Sequence, residues 1–598
     1  MDRNSAIGLV LIAILLWVYF AWFAPQPPVE PPLQGGQPAD TLRRGLEWIR
    51  EKKPGDTLAL LTAPVVEEHL IRIETADLIL TFTSKGGILK EVELKHYKTY
   101  YQKPLLLVSA KSNAFQLGAV IAGKDTDLYT LDYTAERSNS GDTTVLSYTT
   151  ALGEGKYFRN VYRIAASGYS LKYIIETRGL ENSLNGESLT FSWADFIPVQ
   201  EKDLTDSRTK TTVNYFTASG SFDGLSDTSM EPESETLSEP IKWIGIRQKF
   251  FVSAIVADKF FSSGEIATRV NMADTSVVKK ANVLIRIPRA DLAAGAAGFT
   301  YFFGPTDYKI LSGVTPAFEE NLYIGWPPVS WVNRFLIIPI FHFLEKFIAN
   351  YGIIIIILVI IVKLLLAPLS YSSYLGMAKM RLLKPELDLI KEKNGDNMAQ
   401  TQQDQMKLYQ QAGVNPFSGC IPLLLQMPIL FAMFYFFPVS VELRQKAFLW
   451  ADDLSTYDSI ATLPFTIPFY GSHISLFVLL MTASTLVYQW QNNQLTSVTG
   501  PMKSLSYIMP VVFMFVLNSF SAGLSFYYFV SNLVTFAQQA IIKRFVDEDK
   551  IKAVMDDHKK KMLSGTGTKS KFMAKLEDAM KASEEARKAN EEARKRRK

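Results

Sequence analysis

Residues 351–369 read YGIIIIILVIIVKLLLAPL, an apolar run broken by a single charge, Lys363. About 20 apolar residues cross a bilayer core as a helix, so this run predicts an α-helical span and a membrane protein. A cation at the centre of a spanning helix costs roughly 2.5–3.5 kcal/mol on insertion scales. Leu369 lies about 9 Å beyond Lys363 at 1.5 Å per residue. The ammonium can therefore snorkel to the near interface, or it can face a wet cavity or a partner. The run alone leaves both readings open.

Around it, the 598 residues are 48% hydrophobic and only 20% charged, with a formal net charge of +4. The apolar residues concentrate in the first 24 positions and between about 330 and 542, while 40–315 has the composition of a soluble domain. A chain this long has room for several domains. Cys420 is the single cysteine, so no intrachain disulfide can form.

Residues 5–24 (SAIGLVLIAILLWVYFAWFA) carry no charge and are one bilayer long. Trp22, Phe23 and Ala24 run straight into Pro25 without an A-x-A-like cleavage site, so an uncleaved anchor over 1–24 is expected rather than a signal peptide. A Pro/Gly/Gln spacer (PQPPVEPPLQGGQP) opens a linker over 25–60, with a charged helical patch at 42–53. Residues 61–317 read as strands: ADLILTFT (76–83), KEVELKHY (90–97), YSLKYIIET (169–177), ANVLIRIP (281–288) and GFTYFF (298–303). SKGG, SNSGD and SFDGLSD read as the breaks between them, and Val92, Leu94 and His96 are expected on one face. This pattern predicts a large antiparallel β-sandwich.

Segment 318–350 mixes Phe335, Phe341, Phe343 and Phe347 with Arg334, His342, Glu345 and Lys346, which suits an interfacial amphipathic helix. Spans are expected at 351–369, 417–438, 472–490, 505–517 and 523–542; Asn518, Ser519, Ser521 and Gly523 divide the last two. Between them lie a helical hairpin (370–416), an outer loop (439–471) and a short loop (491–504), and a basic tail follows (543–598). Six Lys/Arg in 370–416 and eighteen in the tail, against two in 439–463, put the hairpin, the tail and both termini in the cytoplasm. The β domain is then outside, in the periplasm of a cell that has one.

No catalytic constellation emerges. The five histidines are scattered and no H-E-x-x-H or Cys/His ligand set exists, while GTGTKS (565–570) lacks phosphate-loop spacing. Neither enzyme activity, cofactor nor metal is expected. In the hairpin, Met380, Leu383, Leu387 and Ile390 have coiled-coil-like spacing, a break is expected at Asn394-Gly395-Asp396, and Met377, Met398 and Met406 add soft apolar surface. These residues hold the arms together, meet partners, or both. The tail, with eighteen basic against eleven acidic residues, suits ribosomal RNA or anionic lipid, or is a solvated helix. Gln426, Ser531, Asn532, Gln538 and Gln539 either bond neighbouring helices or line a wet groove with Lys363.

The stretches MAKMRLLKPELDLIKEKNGD, NPFSGCIPLLLQMPILFAMFYFF, VELRQKAFLWADDLS and GLSFYYFVSNLVTFAQQ resemble, in order, YidC-type membrane-protein insertases of the Oxa/YidC/Alb family, over roughly 318–545. The layout resembles the Gram-negative form: an N-terminal anchor, a periplasmic β-supersandwich, and a five-helix core with a cytoplasmic helical hairpin. The resemblance implies an inner-membrane insertase and chaperone acting on nascent membrane proteins, alone or with the Sec translocon, including SecD-type subunits, and in contact with lipid. It implies a groove cation at Lys363, where the family more often has arginine, with Val359 where a threonine is frequent. On the same resemblance Met427, Tyr527 and Tyr528 match positions lining the substrate path, the groove in which Gln426, Ser531 and Asn532 are expected if they do not simply bond neighbouring helices, and Met377, Met380, Arg381 and Leu383 fall in the essential cytoplasmic helices. Two alternatives from other classes are a transporter for an anionic solute, which predicts inverted repeats that are not seen, and a carbohydrate-binding envelope protein using the sandwich.

Overall fold

The computed structural model describes residues 68–180, 183–293, 297–395, 397–415, 421–468, 470–495 and 501–564. The expected anchor, the linker with its charged patch, and the tail beyond 564 lie outside the described residues. The chain divides into two compact units, a β unit over 29–323 with 439–442, and a helical unit that includes 324–438 and 443–598.

In the β unit, Leu78–Thr83 buries Leu78, Leu80 and Phe82 and turns Ile79 and Thr81 the other way, the two-residue period of a half-buried strand. Three sheets of four, nine and six strands result, and their ladders are antiparallel. Phe191 and Trp193, on the central strand Leu184–Pro198 of the six-stranded sheet, meet Phe299 and Phe303 of Gly298–Pro305 in the nine-stranded sheet. Their ring centroids lie 5.2 and 6.4 Å apart. The two large sheets thus face each other, and the expected sandwich is present. From the small sheet, Phe82 reaches Tyr162 at 4.8 Å. Such ring pairs contribute about 0.5–1.5 kcal/mol each beyond their burial.

A polar thread runs through this aromatic core. Tyr173 donates to Asn160 Oδ1 (2.7 Å), and Asn160 Nδ2 reaches the carbonyls of Gly86 and Gly87 (3.3 Å each). Both glycines have positive φ, and a Cβ on Gly86 would meet the Tyr129 carbonyl oxygen at 2.4 Å, so the SKGG turn needs them. Two strand readings are corrected. His96 is exposed, away from the buried Val92 and Leu94, because the register shifts between Leu94 and Lys98. SFDGLSD is not wholly a break, since Phe222–Gly224 pairs as an edge strand.

Asp195 is fully buried on the central strand. Neither carboxyl oxygen completes a hydrogen bond, although Asn113 lies directly opposite. Burial pushes its pKa well up, with Asn113 giving partial relief. The folded state therefore holds this proton where the unfolded chain releases it, and stability falls as pH rises above the ordinary carboxylate range. Asp195→Asn is expected to raise the thermal midpoint near pH 8 by a few degrees, with the gain closing towards pH 4. A variant less stable than wild type at both pH values would show that the carboxylate is satisfied when ionised.

The helical unit comprises α1 (Ile338–Glu345), α2 (Tyr351–Leu365), α3 (Ala367–Leu382), α4 (Lys384–Asn394), α5 (Met398–Gln411), α6 (Ile421–Phe436), α7 (Leu476–Leu495), α8 (Pro501–Leu517), α9 (Ala522–Phe545) and α10 (Glu548–Leu563). The run that predicted one span over 351–369 is split. α2 ends at Leu365, and α3 departs at 62°. Pro368, in the first turn of α3, has no N–H to offer the preceding turn, and Ser370 returns both its N–H and its hydroxyl to the Leu366 carbonyl. No single described helix is long and apolar enough to cross a membrane, though α2 and α3 pass together as a bent pair. At 15 residues, α2 is about 22 Å long, short of a hydrocarbon core of about 30 Å.

Before α1, the turn Val329–Val332 passes through a π turn, Asn333–Ile337. Asn333 is buried and donates to the carbonyls of Ile324 (2.8 Å) and Ala432 (2.9 Å), tying this segment to α6. Ile337, Ile338, Phe341 and Leu344 are buried, while Trp331, Phe335, Phe343 and Phe347 stand out to solvent, the two-faced pattern of an amphipathic segment.

Candidate functional site

On α2, Gly352, Ile355, Val359 and Lys363 recur at three- and four-residue spacing and are buried; Ile353, Ile360, Leu364 and Leu365 are exposed. Lys363 therefore belongs to the packed face, at 9% exposure, and not to the outer face from which snorkelling is easiest. It lies in the last turn of α2, where the helix dipole presents its negative end. Among the described residues none forms an ion pair or hydrogen bond with it.

The helices around it start together. Phe448 fills the space over Gly352 and packs on Phe526 (4.9 Å), and Phe526 packs on Phe477 (5.2 Å). α2, α7 and α9 thus share one end, with α9 packed against both others. Lys363, eleven residues beyond Gly352, is about 16 Å further along α2 at 1.5 Å per residue.

Tyr527 and Ser531, one turn apart on α9, are buried, and Tyr527 contacts Phe437 and the half-buried Tyr528 at 5.7 Å each. Asn532 does not join them. Its amide donates to Ser484 and Thr485 of α7, both at 2.9 Å, and so clamps two helices. Gln426 and Met427 are half-buried on α6, which packs against α3 and the 329–337 segment. On α3 and its end, Met377, Met380 and Arg381 are half-buried and Leu383 is buried.

Sequence reasoning missed the residues that fix the shared end. Asp458, buried, accepts from Trp450 Nε1 (2.8 Å), the Ser475 hydroxyl, and the N–H groups of Leu476 (2.9 Å) and Phe477 (3.1 Å). Asn518, in the α8–α9 turn, donates to the carbonyls of Tyr470 and His473 (2.8 Å each) and accepts from Ser475 N–H (3.1 Å). A Cβ on Gly352 would lie 2.1 Å from the Phe448 ring. Gly352→Leu is expected to lower stability by about 1–3 kcal/mol, the usual cost of overpacking, read as a lower thermal midpoint in detergent. Pairing it with Phe448→Ala should recover part of the loss, because contacting residues couple; simple addition of the two losses would deny the contact.

Two family profiles match the chain back to back, one described as the YidC periplasmic domain over residues 70–342 and one as the 60Kd inner membrane protein over 343–550. The chain belongs to the YidC family of membrane protein insertases. It is 45% identical over 596 residues to the membrane protein insertase YidC of Amoebophilus asiaticus, covering 98% of this chain and 99% of that one. It is 42% identical over 610 residues to that of Cytophaga hutchinsonii, covering 97% and 98%. Among solved structures it is similar to an active YidC insertase with the first transmembrane domain resolved, at 19% identity and a TM-score of 0.32, covering 79% of this chain and 92% of that one. In this YidC-family chain, the quoted motif VELRQKAFLWADDLS leads into the Asp458 network: Trp450 supplies a donor to it, and Asp453 accepts from the Ser455 N–H and hydroxyl.

Proposed function

We propose that this chain inserts newly made membrane proteins into the inner membrane through a groove in which Lys363 supplies a positive charge and Tyr527, Tyr528 and Ser531 flank the path. The observation carrying this reading is a buried lysine on the packed face of α2, with no counter-charge among the described residues. An acidic extracellular segment resists dehydration on its way across. A fixed cation offers it a partner part-way, and a helix as short as α2 favours a locally thinned bilayer. The apolar helix that follows leaves sideways into lipid, driven by its own burial at about 25 cal/mol per Å², without nucleotide or metal. The topology in this reading is six spans, with both termini and the 370–416 hairpin in the cytoplasm and the β unit in the periplasm. Gln426, Met427 and Asn532 support the groove walls, and Met377, Met380, Arg381 and Leu383 serve the hairpin. Sec components, SecD-type subunits, the ribosome and lipids are the partners that family membership suggests. Family membership favours insertion over solute transport or carbohydrate binding.

The test is rescue. A host depleted of its own insertase is supplied with this chain, and a small Sec-independent substrate is scored by protease protection. Restored protection is expected. Failure by a well-expressed, correctly oriented protein would overturn the reading.

A further inference from the structure

The two arms of the hairpin pack against each other, and a third helix joins their shared apolar cluster. Leu383 and Leu387 on one arm and Leu408 on the other form an apolar seam, and α10 fills it with Ile551 and Met555. These two side chains, one helical turn apart, are the buried apolar contacts among the described side chains of a helix that reads EDKIKAVMDDHKKKML. The remaining links are polar. Arg381 pairs with Glu548, and Lys559 with Glu386 at 2.6 Å, through partly exposed side chains. His558 Nδ1 lies 3.1 Å from the Gln411 carbonyl, over Gly413, where a Cβ would come within 2.9 Å of the ring. Ion pairs open to water hold weakly.

We propose that α10 occupies, in cis, the first docking site for the apolar helix of an incoming membrane protein, which displaces it. The proposal rests on the insertase reading. Anchors at i and i+4 on a helix lying in an apolar seam are the general helix-in-groove mode. Met380 packs against the same seam, and a thioether adapts to varied side chains. A nascent transmembrane helix is apolar on all sides and buries more surface there than one isoleucine and one methionine. The charged outer face of α10 meanwhile needs no protein partner in water. Left empty, the seam would be an exposed apolar patch, so a resident helix keeps it covered between substrates. The connections suit an exchange. α10 follows α9 after only Val546 and Asp547, and α3 follows α2 after Leu366, so the seam is joined directly to the helices carrying Tyr527 and Lys363.

The full-length chain in proteoliposomes, with a photo-reactive amino acid in place of Met380, is exposed to ribosome-bound nascent chains ending in one apolar helix or in a hydrophilic control. Ile551→Asp with Met555→Asp undocks α10 and is expected to raise the crosslink to the apolar nascent chain severalfold. Leu408→Cys with Ile551→Cys, oxidised, locks α10 and is expected to reduce the crosslink to the level of the hydrophilic control, with recovery on reduction. Equal crosslinking by the locked and reduced forms would overturn the proposal, as would an undocked variant that folds yet crosslinks less than wild type. Protease protection of the same nascent chain by wild type tests insertion separately, so a failed insertase and a failed docking site give different patterns.

Discussion

Lys363→Glu is expected to abolish insertion of a substrate whose extracellular segment is acidic, while Lys363→Arg keeps most of it and Lys363→Ala lies between. Two unit charges 4 Å apart interact by about 4 kcal/mol at an effective dielectric of about 20. Reversing the sign turns that attraction into repulsion of similar size, and 1.4 kcal/mol is a factor of ten in rate. Even strong screening leaves a loss of tenfold or more. Arginine keeps the charge but spreads it over a planar fork, so its cost should be small. A substrate with a neutral extracellular segment should be much less sensitive to all three changes. Protease protection in proteoliposomes over a short time course measures this. Wild-type rates for the glutamate variant, with correctly oriented protein, would remove Lys363 from the mechanism.

The sequence was most readable where one local period decided the structure. Leu78, Leu80 and Phe82 face the core because the chain alternates there, and such segments gave the sandwich its class. His96 went astray because a register shift after Leu94 breaks the period, and a bulge leaves no local mark. Lys363 shows a different limit. Its helix was evident, but the side it faces depends on α9, far along the chain, whose packing leaves Leu364 outside and Lys363 inside. The basic tail left a solvated helix and an acidic partner both open, and neither reading foresaw that Ile551 and Met555 of α10 enter the seam. Polarity alone left Asn532 open between a groove and a helix–helix bond, and its bonds to Ser484 and Thr485 show the second role, the common one for a polar residue between helices.

Asp458→Ala should be the most damaging substitution in the loop between α6 and α7. The first N–H groups of a helix have no partner within it. α7 takes one carboxylate oxygen from Asp458 for both Leu476 and Phe477, across 18 and 19 residues. The same side chain holds Trp450, whose ring packs on Phe477 at 4.4 Å, and Phe477 in turn meets Phe526 of α9. Alanine strands four donors, of which the Ser475 hydroxyl and the Phe477 N–H are buried and the Trp450 and Leu476 groups partly so. Each stranded group costs about 1–3 kcal/mol, and such losses within one network do not add in full, so about 3–5 kcal/mol is expected, comparable to removing one partner of a buried ion pair. Ser475 softens the effect only slightly, since its hydroxyl already accepts from Val478 N–H at 3.1 Å. Asp458→Asn retains shape and one acceptor oxygen but loses the negative charge at the positive end of the helix, so it should fall between wild type and alanine. Thermal unfolding of the full chain in detergent, with limited proteolysis of the 444–475 loop, reads both. An alanine variant within 1 kcal/mol of wild type would mean that water replaces the carboxylate, and the shared end of α2, α7 and α9 would then have to be held by its aromatic contacts and the Asn518 bonds.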